Sequence, residues 1–126
     1  MNLHGTRVLL TGAAGGIGSA LALKLAAKGA NLALVARRES ALEELIDRLE
    51  HENITVQSVG ADLADPLQAA QTVTETRHKL GGIDLLINCA GLMSFRPLAE
   101  EDPELLRDIV QLNLVAPMLL ARYAVP

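Results

Sequence analysis

The run Thr11-Gly12-Ala13-Ala14-Gly15-Gly16-Ile17-Gly18 stands where an apolar segment, Arg7 to Leu10, gives way to a helical pattern. Glycines at a strand-to-helix turn let the backbone approach a pyrophosphate closely. The helix after the turn offers free N–H groups and the positive end of its dipole. The spacing is Gly-x-x-x-Gly-x-Gly, unlike the Gly-x-Gly-x-x-Gly of the commoner dinucleotide site. It is not a P-loop either, since Gly-Lys-Ser/Thr is missing. Taken alone, the cluster also fits a tight turn whose glycines only pack helix on strand. Its position, after the first strand and opening the first helix, is the context a dinucleotide site requires. A second signal lies at Val35-Ala36-Arg37-Arg38. In dinucleotide folds an acid about 20 residues beyond the glycines binds the ribose 2′-hydroxyl. Ala36 stands at that place here, with Arg37 next. A guanidinium can hold a 2′-phosphate bidentately, whereas a carboxylate repels it. The expected cofactor is therefore NADP(H) in preference to NAD(H), the alternative being that Arg37 and Arg38 form a solvated turn.

The other polar candidates are weaker signals singly. Asp62 fits a loop acid or a helix cap, and Asn88 fits a turn. Asn113 is an amide inside an apolar helical pattern, where it could simply face solvent. Cys89, the only cysteine, excludes an intrachain disulfide and has no general base near it in sequence; a buried small residue is the expected role. His4, His51 and His78 have no metal-ligand spacing, so no metal site is expected. Tyr123 near the end of the last apolar helix reads as a packing residue.

These residues need elements to position them. Arg7–Leu10, Ala30–Val35, Ile54–Val59 and Ile83–Ile87 are short buried-type apolar runs and read as strands. Helical patterns separate them. Ile17, Ala20, Leu21 and Leu25 share one face, and Gly29 is placed to end that helix. Ser40 with Glu43 reads as a capping box ahead of Leu42, Leu45, Ile46 and Leu49. Asp65-Pro66 reads as a cap followed by proline at the first helical position, with Gly81-Gly82 as the stop. Asp102-Pro103 opens a last helix that Pro117 should kink. Alternating strands and helices predict right-handed crossovers and a Rossmann-type, doubly wound α/β parallel sheet. Its first four strands are expected in the order 3-2-1-4.

With 126 residues, half of them apolar and 21% charged, the chain has room for one domain. The net charge of −4 disfavours a nucleic-acid surface. One Phe, one Tyr and no Trp leave no stacking platform for single strands. The greasiest stretch, Leu112 to Val125, is interrupted by Asn113, Pro117 and Arg122 and is shorter than the roughly 20 residues of a membrane helix. No targeting segment is visible, so a cytoplasmic protein with no membrane partner is expected.

The longer glycine turn, with Thr11 in front and Ile17 between the last glycines, resembles that of the short-chain dehydrogenase/reductase family. Further motifs stand in register: Asp62-Leu63 after the third strand, Asn88-Cys89-Ala90-Gly91 after the fourth, and Asn113-Leu114 in the long helix. The resemblance spans the chain from the first strand to Pro126. It implies that Gly12, Ala14, Gly16, Ile17, Gly18, Arg37, Arg38, Asp62, Leu63, Asn88, Ala90 and Gly91 bind the cofactor. Asp62 and the Leu63 amide would hold the adenine. Asn113 would be the one catalytic-tetrad residue present, anchoring a water in a proton relay. Cys89 departs from the family's second asparagine, whose amide helps tie neighbouring strands together. The family's serine and Tyr-x-x-x-Lys have no counterpart after Asn113.

The expected function is thus the cofactor half of an oxidoreductase that moves hydride between NADP(H) and a small carbonyl or alcohol. The organisation reads as interrupted before the proton-transfer residues, so the 126-residue chain is expected to bind cofactor at most. A complete version is expected to form a homo-oligomer. The alternative is a non-catalytic dinucleotide-binding or interaction module. An S-adenosylmethionine methyltransferase would want an acid ending the second strand, and Arg37-Arg38 argue against it.

Overall fold

The computed structural model describes residues 1–126. Four strands, β1 (Arg7–Thr11), β2 (Asn31–Ala36), β3 (Val56–Gly60) and β4 (Leu85–Asn88), form one parallel sheet in the order β3-β2-β1-β4. This is the order expected of a doubly wound sheet. Five helices accompany it: α1 (Gly16–Ala26), α2 (Glu43–Leu49), α3 (Gln68–Leu80), α4 (Pro103–Val110) and α5 (Ala116–Ala124).

Alternation along the strands divides the core into two layers. Val8, Leu10, Leu32 and Leu34 point to one face, where Ala22 and Leu25 of α1 and Leu45 and Leu49 of α2 cover them. Leu9, Ala33 and Val35 point to the other, against Ala69 and Val73 of α3 and Ala116 and Leu120 of α5. The central strands β1 and β2 are buried on both faces, which explains why they read as unbroken apolar runs.

Gly29 and Gly81 end α1 and α3 with positive φ, as their positions in the sequence predict. Asp102 also caps as expected, its Oδ1 accepting the Glu104 N–H at 2.9 Å with Pro103 in the first turn. Three other local expectations are corrected. Ser40 makes no capping bond. It lies inside a 3₁₀ turn, Glu39–Leu42, and α2 starts only at Glu43, so the Ser40–Glu43 capping box does not form. Asp65 stands ahead of α3, and its Oδ1 accepts the Leu67 N–H at 3.0 Å in a local turn before the helix begins. The irregularity expected from Pro117 lies one turn earlier. Between α4 and α5, Gln111–Val115 form a π-helical turn in which the Ala116 N–H donates to the Gln111 carbonyl. Pro117 has no N–H to give the Asn113 carbonyl, the partner it would take in a regular α-helix. The proline therefore disfavours α-helical pairing at this turn.

Candidate functional site

All four strands bring their carboxyl ends to the same edge of the sheet, and a cleft of about 240 Å³ opens there. Its wall is made of Gly12, Ala14 and Gly15 after β1, Ala36 and Arg37 after β2, Ala61, Asp62 and Leu63 after β3, and Cys89, Ala90 and Gly91 after β4. A crevice outside the carboxyl ends of a doubly wound sheet is where this architecture places ligands.

The turn after β1 is packed too tightly for side chains. A Cβ at Gly12, which has φ +65°, would lie 2.5 Å from the Ala90 nitrogen. One at Gly18 would lie 2.1 Å from the Gly12 carbonyl oxygen. These two glycines let the first turn, α1 and the turn after β4 come together. The N-cap of α1 is Gly15, which has no side chain to accept the first amides of the helix. As a result the N–H groups of Ala14, Gly16, Ile17 and Gly18 donate to no protein acceptor. Unpaired amides at the positive end of a helix dipole match the oxygens of a pyrophosphate. A Cβ at Gly16 would meet nothing within 4 Å, so the turn is open beside that residue.

Arg37 reaches the rim from the end of β2, exposed and without a carboxylate partner. Arg38 is exposed beside it but does not line the cleft. Asp62 is exposed. Its Oδ1 accepts the Ala64 N–H at 3.0 Å, which leaves Oδ2 without a protein donor, and its own N–H donates to Gln68. The Leu63 side chain is buried in the core, while its N–H has no protein acceptor. The pair therefore presents one free acceptor and one free donor, the set that the edge of an adenine ring requires.

The fourth strand contributes through its backbone. The buried Thr11 hydroxyl oxygen accepts the N–H groups of both Cys89 and Ala90, each at 3.2 Å. The tie between β1 and β4 thus runs through Thr11 and two amides, and the thiol of Cys89 is not needed for it. Asn88 pairs with Thr11 in the sheet register and does not line the cleft.

Asn113 lies on the π-helical turn and grips the loop after Gly91. Its Oδ1 accepts the Leu92 N–H at 2.8 Å and its Nδ2 donates to the Leu92 carbonyl at 2.6 Å. Both ends of the amide are engaged by one backbone residue. The side chain holds the loop in place and does not project into the cleft. Further along the loop, the Ser94 hydroxyl donates to Glu101, whose carboxylate also accepts the Asp102 N–H. The Ser94 bond chiefly, then the Asp102 amide, holds the Glu101 carboxyl below the usual range.

Residue type and spacing assign no role to Thr11, Ala61 or Leu112, the last of which also lines the cleft. Thr11 carried a signal, a hydroxyl closing a buried strand just before a glycine turn. Ala61 and Leu112 carried none, because their contribution is only surface. No three His, Cys, Asp or Glu side chains come together as metal ligands. No helix is long and apolar enough to cross a membrane.

A four-stranded parallel sheet of this order, with uncapped helix amides at its carboxyl edge, defines a dinucleotide-binding α/β fold. The sequence profile of the short chain dehydrogenases matches residues 6–126, and the chain belongs to that family. It is 38% identical over its whole length to a fatty acyl-CoA reductase of Mycobacterium tuberculosis, covering 44% of that protein. Among solved structures, a blue fluorescent protein from a metagenomic library, in complex with NADPH, superposes with a TM-score of 0.90 at 32% identity; the match covers 98% of this chain and 51% of that one. The L-sorbose reductase of Gluconobacter frateurii, complexed with NADPH and L-sorbose, gives a TM-score of 0.90 at 33% identity over 98% of this chain and 48% of its own. The chain thus spans about two fifths of the length of the first curated relatives it matches and about half of these solved structures.

Proposed function

We propose that this chain binds NADP(H) and is the cofactor-holding part of an oxidoreductase acting on a small carbonyl or alcohol compound. The observation that carries this reading is the convergence, at one sheet edge, of unpaired helix amides, an unpaired Arg37 and the free Asp62–Leu63 pair. Each fits a different part of the dinucleotide. The amides of Ala14, Gly16, Ile17 and Gly18 bind the pyrophosphate. Arg37 binds the 2′-phosphate, with Arg38 adding charge beside it. Asp62 and the Leu63 N–H orient the adenine. Ala90, its amide held by Thr11, and Gly91 form the floor toward the substrate side, and Asn113 fixes that floor through Leu92. NADP(H), when bound, supplies or accepts the hydride. Two solved neighbours are NADPH complexes, which supports the same cofactor here.

The reaction belongs to a protein in which these residues stand beside a proton donor. These 126 residues supply the cofactor cleft and Asn113. The activity to test on them is therefore binding. Calorimetric titration with NADPH and NADH tests it. NADPH should bind at least about tenfold more tightly, the scale of one charge-assisted bidentate contact. A chain that is folded by circular dichroism and takes up neither nucleotide would falsify the reading.

A further inference from the structure

An acid lies close to the arginine pair, and the fold keeps it away from the phosphate they would hold. Glu39 follows Arg37-Arg38 directly and is the nearest carboxylate to them in sequence. A carboxylate that swung back toward Arg37 would pair with the guanidinium and repel a 2′-phosphate. Two features hold it elsewhere. First, β2 and β3 pair with Ala36 opposite Gly60, and the chain after Ala36 folds back so that Glu39 lies across Gly60. A Cβ built on Gly60 would sit 3.2 Å from Glu39 Cγ and 3.9 Å from its Oε1, so the glycine is the seat of this side chain. Gly60 has no positive φ, so backbone conformation does not require glycine there. Second, Lys79 at the end of α3 reaches the same place. Its Nζ donates to the Ser58 carbonyl at 2.6 Å, pairs with Glu75 at 2.7 Å, and stands 4.0 Å from Glu39 Oε1. The Ser58 and Glu75 contacts fix the ammonium, which then draws Glu39 toward β3. Neither Arg37 nor Arg38 forms an ion pair in this arrangement.

We propose that Lys79 and Gly60 are specificity-determining positions for the cofactor: together they hold Glu39 over the end of β3, which leaves Arg37 free for a 2′-phosphate. Lys79 is a positioning residue that touches no cofactor. The inference rests on the NADP(H) reading above. It predicts that the discrimination between NADPH and NADH is governed by residues outside the cleft as well as by Arg37.

The test is calorimetric titration of both nucleotides at low ionic strength into the chain and its variants. In Lys79→Met, NADPH affinity should fall about three- to fivefold while NADH affinity holds, the size expected for one charge released at partly screened range. Lys79→Arg should retain the wild-type ratio. Gly60→Val displaces Glu39 from the other side and should reproduce the Lys79→Met effect. Adding Glu39→Gln to Lys79→Met should restore NADPH affinity, because the repelling charge is gone. A wild-type preference for NADPH that survives unchanged in both Lys79→Met and Gly60→Val overturns this inference alone. An equal loss for both nucleotides that Glu39→Gln does not rescue also overturns it. A wild-type chain with no preference for NADPH overturns the cofactor reading and the inference with it.

Discussion

The two ends of the parallel sheet handle their polar groups in opposite ways. At the amino end Arg7, Asp84 and Asn31 find their partners within the chain. Arg7 forks onto Asp84, with Nε to Oδ2 at 2.9 Å and Nη2 to Oδ1 at 2.6 Å, and its Nη1 donates to the Gly81 carbonyl. The two backbones close the same contact, the Arg7 N–H donating to Asp84 Oδ2 and the Asp84 N–H to the Arg7 carbonyl. Asn31 accepts the Thr55 N–H and donates its own to Thr6. At the carboxyl end, four amides of the glycine turn, the Leu63 N–H, one Asp62 oxygen and the Arg37 guanidinium have no partner in the protein. The same strands supply both ends, so the difference lies in the turns that leave their carboxyl termini. Groups satisfied internally stabilise the fold, and groups left open are available to a ligand.

Substitutions at the two ends should therefore separate binding from stability. The largest effect is expected at Gly18, where the fold and the site meet. Gly18→Val forces atoms into the Gly12 carbonyl and should destabilise by about 3 kcal/mol, with NADPH binding lost. Thermal unfolding followed by circular dichroism, with a parallel titration, reads both effects. Gly16→Val sharpens the contrast. Its Cβ enters open space, so the melting temperature should hold while NADPH binding weakens about tenfold through obstruction of the amides. A Gly16→Val protein that binds normally would remove the glycine turn from the site.

Next comes Arg37→Ala. Loss of one charge-assisted, bidentate contact should weaken NADPH about tenfold and leave NADH and the melting temperature unchanged. Equal weakening of both nucleotides would place Arg37 on something other than the 2′-phosphate. Thr11→Val is expected to fall between the two classes. It strips the acceptor from two amides and should destabilise by about 2 kcal/mol while loosening the Ala90 side of the cleft. Urea unfolding gives the stability change, and the titration should show a few-fold loss common to both nucleotides.

The smallest effect on binding is expected at the amino end. The hydrogen bond from the Arg7 guanidinium, with the Arg7 amide, holds the Asp84 carboxyl far below the usual carboxylate range. A folded-state pKa below the unfolded one means the stabilisation is fully present above the unfolded value of about 4. It is lost as pH falls below that value toward the lower folded one. Asp84→Asn should therefore flatten the dependence of the melting temperature on pH below about 4, and leave NADPH affinity at neutral pH within about twofold. A marked loss of cofactor affinity in that variant would break the separation of the two ends.

The sheet order and the placement of the glycine turn were legible because β1 and β2 are buried on both faces and so appear as continuous apolar runs. Helix stops at Gly29 and Gly81 were legible because a left-handed C-cap has a strong residue preference. The Ser40 capping box failed for the opposite reason. Several turn types share the same residues, and here a 3₁₀ turn formed at Ser40. The Asp62–Leu63 pair shows a further gap. Its residue types were visible, but the engagement of one carboxylate oxygen by Ala64 depends on how the loop folds. Asn113 was legible as an unusual amide in an apolar helix, while its partner, the Leu92 backbone, lies far off in sequence and leaves no trace in local pattern.

The π-helical turn at Gln111–Val115 also sets the angular phase of everything downstream. A wide turn holds one residue more than an α-helical turn, and each α-helical residue advances about 100° around the axis. Leu120 and Ala116 are buried against the sheet face shared with α3, whereas Val110, Leu114 and Met118 are exposed. Deleting one residue from the wide turn would make α4 and α5 a continuous helix and rotate α5 by about 100°. Leu120 would then leave its place under the sheet, and the grip of Asn113 on Leu92 would lose its alignment in the same step. Loop anchor and core packing are thus geared to a single surplus residue. Insertions and deletions should be tolerated far less in Gln111–Val115 than in the exposed Phe95–Glu100 segment before it.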